Sequence, residues 1–97
     1  MGFVQIIEFR TSKVDEMRKI SDDWEAAAGS DSQARRRVLC ADHDRPGRYF
    51  NIVFFDSYES AMENSSMPVT QEFSSRMIKL ADEPPKFHNL DVIDDRS

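Results

Sequence analysis

The residues of this chain best suited to chemistry are three amides and a histidine. Gln5, Asn51 and Asn89 lie on alternating, otherwise apolar runs, "FVQIIEFR", "YFNIVFF" and "FHNLDVI". An amide donates and accepts hydrogen bonds without carrying a charge into a low-dielectric pocket, so such a set can orient a phenol or quinone carbonyl and stabilise an enolate. The same amides can equally hydrogen-bond across a subunit interface or to buried water, and the sequence leaves both readings open. Tyr49 shares the alternation of Asn51 and joins the candidate substrate-binding set. His88, between Phe87 and Asn89, is the candidate general base because an imidazole exchanges protons near neutrality; a plain structural hydrogen bond is the competing reading. Trp24 closes an apolar helical stripe as a core or interface anchor and completes the candidate substrate-binding residues.

Other chemistries find less support. Cys40 is the single cysteine, so neither an intramolecular disulfide nor a multi-cysteine metal site can form within one chain, and its strand-like context reads as an inert buried thiol. His43 falls in a turn, neither histidine is spaced for a metal pair, and no metal site or cofactor is expected. The net charge of −5 argues against nucleic acid as a partner. Arg35, Arg36 and Arg37 are the exception, but on a strand they alternate between faces and read as a solvated edge kept from aggregating by charge. Asp56 and Glu59 suit a helix N-terminus, and Glu8 is expected to pair with Arg10, Arg36 or Arg48. No apolar run has the length of a signal or membrane segment, so a cytoplasmic protein without a membrane partner is expected.

The elements that position these residues follow from periodicity. Ninety-seven residues, 39% hydrophobic and 32% charged, suit one domain spanning 1–97, since two cores would each be too small. Gly2 to Arg10 alternates as a strand. Val14, Met17, Ile20 and Trp24 then recur at helical spacing over Lys13 to Ala28, with Thr11-Ser12 as the cap and Gly29 as the stop. Ala34 to Asp42 and Tyr49 to Phe55 read as strands joined through Pro46-Gly47. Asp56 or Ser57 caps a short helix through Ser65, Met67-Pro68 makes a corner, and a second helical piece carries Phe73, Met77 and Leu80 inward. "KFHNLDVID" is the last strand.

The order is βαββαβ, an α+β ferredoxin-like arrangement with a broken second helix. Right-handed crossovers place strands one and three in the centre, flanked by strands four and two. Val4, Ile6, Phe50, Ile52, Phe54, Leu90 and Val92 form the more continuously apolar set and are assigned to the helix-covered face. Gln5, Tyr49, Asn51 and Asn89, mixed with Ile7, Val53 and Phe55, are then left on the opposite face, which needs a partner.

"RYFNIVFFDSYESAMENSSMP", continued by "VTQEFSSRMIKLADEPPKFHNLDVID", resembles the third strand, broken helix and final strand of the dimeric α+β barrel superfamily. The resemblance is to the branch of antibiotic-biosynthesis-type monooxygenases and relatives of unknown function. It implies a homodimer that brings two open sheet faces together, and a cavity between sheet and helices. It also implies cofactor-independent monooxygenase-like or isomerase-like action on a small aromatic or polyketide-type molecule, or a non-catalytic binding or stress-related role. The haem-degrading relatives fit less well: the helical piece from Thr70 to Ala81 has no histidine to serve as the expected axial ligand.

Overall fold

A computed structural model describes residues 2–96. In chain order it contains β1 (Phe3–Arg10), α1 (Val14–Ala28), a single 3-10 turn (Gly29–Asp31), β2 (Arg36–Ala41), β3 (Arg48–Phe55), α2 (Tyr58–Ser66), α3 (Pro68–Leu80) and β4 (Lys86–Asp91). The four strands form one antiparallel sheet in the order β2-β3-β1-β4. This is the ferredoxin-like βαββαβ arrangement, with β1 and β3 central and the second crossover helix split in two.

Local chemistry sets the element ends. The Ser57 hydroxyl accepts from the Ser60 N–H at 3.1 Å and caps α2. Met67 leaves the helical region, and Pro68 takes the first position of α3, where its missing N–H costs no helix hydrogen bond. Gly29 ends α1 at φ 52, and Gly47 turns the β2–β3 hairpin at φ 87, both in the region that a Cβ disfavours. The expected cap of α1 at Thr11-Ser12 is not formed; the residue before the helix is Lys13, which provides no side-chain cap. Thr11 is used otherwise. Its buried hydroxyl accepts from the Lys13 N–H at 3.0 Å and donates to the Leu80 carbonyl at 2.7 Å, tying the end of β1 to the end of α3.

The register corrects the assignment of sheet faces. Phe3 pairs with Phe55, Gln5 with Val53, Ile7 with Asn51 and Phe9 with Tyr49, so these eight residues share one face. That face meets the helices: Phe3, Phe9, Val53 and Phe55 are buried, with Phe3, Val53 and Phe55 packed around Ala61 of α2. Met17, Ile20, Trp24 and Ala28 supply the buried stripe of α1. The set expected to face the helices, Val4, Ile6, Phe50, Ile52 and Phe54, is only half-buried and carries no helix; Leu90 on β4 is exposed. Both faces are apolar, so apolar continuity did not distinguish them. The wide aromatic rings of Phe3, Phe9 and Phe55 fill the gap under the helices.

The uncovered face becomes polar at one end. Arg48 donates to Glu8 at 2.7 Å and to Glu83 at 3.1 Å, and His88 Nε2 lies 3.4 Å from Glu8 Oε1. The partner of Glu8 is thus Arg48, one of the three expected. Burial pushes the Glu8 carboxyl up, but the contact with His88 and the charges of Arg48 and Lys86 outweigh it and hold the group below its ordinary value. Among the described residues no helix is long and apolar enough to cross a membrane.

Two outcomes follow from this packing. Met17→Ala, at a site 2% exposed, should destabilise the fold by roughly 2–5 kcal/mol in urea denaturation. Because the Glu8 pKa is lowered on folding, its contribution is present above the unfolded value and is lost as pH falls through the folded one. Urea midpoints measured from roughly pH 7 to pH 3 should therefore fall with acid, and Glu8→Gln should flatten that decline.

Candidate functional site

Between the helix-covered face and α1, α2 and α3 lies a cavity of about 340 Å³. Its floor is Gln5, Ile7, Asn51, Val53 and Asn89 of the sheet; Trp24, Arg37, Asn64, Thr70 and Phe73 stand around it. Two adjoining spaces, of about 150 and 40 Å³, run toward Phe9, Met17 and Met77. The space exists because α3 buries none of its side chains fully, and Phe73 and Met77 are only half-buried above the amides.

Asn51 is the centre of this arrangement and lines all three spaces. It is 8% exposed. Its side-chain amide makes no hydrogen bond among the described residues, yet no fully enclosed side-chain polar atom there lacks a partner, so the amide opens into the cavity. An amide at the wall of such a space can both donate to and accept from a group that enters it. Beside it, Gln5 Nε2 donates to Asn89 Oδ1 at 3.1 Å, which fixes the orientation of both amides.

The walls are also held in place. The Trp24 indole N–H donates to Thr70 Oγ1 at 2.9 Å, and its ring meets Phe73 at a centroid distance of 5.8 Å. Asn64 is buried; its Oδ1 accepts from the Gln33 N–H at 3.1 Å, while its amide NH₂ has no hydrogen-bond acceptor among the described residues. The guanidinium of Arg37 stacks over Trp24 at 5.3 Å.

The structure therefore brings together Gln5, Asn51, Asn89 and Trp24. It does not bring Tyr49 or His88 to them. Tyr49 is on the same face but stacks on Phe9 at 5.7 Å, beyond the end of the cavity. His88 pairs with Ile6 and points to the opposite side of the sheet, beside Glu8, because neighbouring strand residues alternate in direction. His88 therefore does not line this cavity. Asn64, Thr70 and Arg37 are site residues that sequence reasoning missed. A signal existed for Asn64: a weak helix former three residues after Ala61 shares the buried face of α2.

No family model matches the chain, and a search of curated proteins found no match. Solved structures are similar. SnoaB from Streptomyces nogalater, described as a cofactor-independent oxygenase, superposes with a TM-score of 0.80 at 12% identity, over 97% of this chain and 95% of that one. Rv0793 from Mycobacterium tuberculosis gives 0.80 at 16% identity, over 100% of both chains. A protein from Chloroflexus aurantiacus, provisionally described as an antibiotic biosynthesis monooxygenase, gives 0.75 at 18% identity, over 100% of this chain and 98% of that one. At these identities the likeness is one of fold, and the chain shares over its full length the fold of antibiotic biosynthesis monooxygenase-like proteins.

Proposed function

We propose that the chain binds a small aromatic, polyketide-type molecule in this cavity and promotes its cofactor-independent oxidation. The observation that carries the reading is buried Asn51, whose amide opens into the cavity with no hydrogen bond among the described residues and lines all three spaces. An anthrone-type substrate can lose a proton from its methylene carbon to give an enolate. The enolate then reduces dioxygen, keeping one oxygen atom as a new carbonyl while the other leaves as water. In this reading Asn51 and Asn64 donate to the enolate oxygen while Trp24 and Phe73 flank the rings, all four lining the same cavity. Among the described residues neither a carboxylate nor an imidazole lines the main cavity; Asp22 lines the adjoining space, and the proton passes to solvent.

That same lack of an acid–base group favours a second reading, a binding domain without turnover. Oxygen uptake with anthrone decides between the two: binding without uptake selects the second. Asn51→Leu should leave the fold intact, because the amide makes no hydrogen bond among the described residues. It should lower anthrone consumption at least roughly tenfold. Unchanged binding and turnover in this variant would sink the assignment of the site.

We also propose that a second copy of the chain covers the open sheet face. Val4, Ile6, Val38, Phe50, Ile52 and Phe54 present a contiguous apolar surface there with no helix over it. Sedimentation at micromolar concentration should give about twice the 11.2 kDa chain mass, and a monomer would refute the pairing.

A further inference from the structure

The three consecutive arginines have three different fates. Arg35 donates to Asp56 from Nε and Nη2 at 2.9 and 2.6 Å on the surface. Arg36 lies over the Phe54 ring at 5.5 Å on the open sheet face. Arg37 pairs with Val53 and points to the helix-covered face, where its side chain is only 18% exposed. Its one ion pair among the described residues is with Glu25, 3.4 Å away and itself 63% exposed, a long contact for a side chain with five N–H donors, and Asp22 lines the adjoining space with it. Arg48 shows the contrast, holding Glu8 and Glu83 at 2.7 and 3.1 Å.

Of the described residues that line the main cavity, Arg37 is the only ionisable one; the other polar groups are neutral amides and hydroxyls. It also lines the adjoining space that it shares with Asn51. The guanidinium lies over the Trp24 ring at 5.3 Å, which keeps the charge beside the aromatic wall of the cavity. A charge-assisted, two-pronged hydrogen bond is stronger than one made to a neutral group. The chain as a whole is acidic, with a net charge of −5, so this positive site is local rather than part of a basic surface.

We propose that Arg37 makes the cavity selective for aromatic ligands that carry a carboxylate, the rings lying against Trp24 and the carboxylate meeting the guanidinium edge. The inference rests on the reading that the cavity takes a small aromatic molecule. Trp24 is the single tryptophan of the chain, so its indole ¹⁵N–¹H resonance reports on the site without ambiguity. Titrations with 2-naphthoate and with its neutral analogue 2-naphthamide should both move that resonance, the naphthoate binding about tenfold or more tightly. Arg37→Gln should abolish the difference between the two ligands, and a difference that persists in this variant would overturn the role of Arg37. Equal affinities in the unsubstituted protein would overturn the selectivity and leave the cavity reading standing. If neither compound moves the resonance, both readings fall.

Discussion

Everything at the site depends on the pairing of β1 with β3, in which Ile7 stands opposite Asn51. Side chains alternate along a strand, so that one register choice sends Gln5, Asn51, Arg37 and Asn89 to the same side and His88, Glu8 and Arg36 to the other. A slip of one residue would exchange the two sets and leave the amides facing away from the helices. The register is held by bulk at both ends of the strand pair. Phe3 and Phe55 anchor one end beneath α2, and Phe9 stacked on Tyr49 anchors the other.

Between those anchors the packing is deliberately incomplete in its physical effect. Neither short amides nor Ile7 and Val53 can reach the helices as a phenylalanine would, and α3 answers them only with half-buried Phe73 and Met77. The fold thus trades dispersion contacts and some polar desolvation for an internal space. Stability is concentrated instead in the α1 stripe and the α2 cluster, where Met17, Trp24, Ala28 and Ala61 are buried.

Element order, strand neighbours and the break at Met67-Pro68 were legible in the sequence, because each rests on local signals: alternation, helical spacing, and proline at a first helical position. Face choice was not. Val4, Ile6, Phe50, Ile52 and Phe54 look more core-like than a set interrupted by Gln5 and Asn51, and only tertiary packing shows that the interrupted set surrounds a cavity. The amides were picked out correctly as neighbours even so, since strand order alone brings Gln5 beside Asn89. His88 and Arg37 show the cost of the error in opposite senses. Alternation along β4 turns His88 away from the amides, and alternation along β2 aims Arg37 inward although its run reads as a solvated edge. Thr11, too, looked like a helix cap and serves a contact 69 residues away in sequence.

That Thr11 contact also bears on how the cavity behaves. It pins the last turn of α3 to the end of β1, while the Trp24 indole holds Thr70 in the first turn. The middle of the helix, from Phe73 to Met77, spans the space with no side chain fully buried. A helix clamped at both ends and unsupported between them can bow but cannot slide. An occupant would therefore supply the missing underside of α3, and its association would carry an ordering entropy in the helix as well as the contacts it makes with the walls.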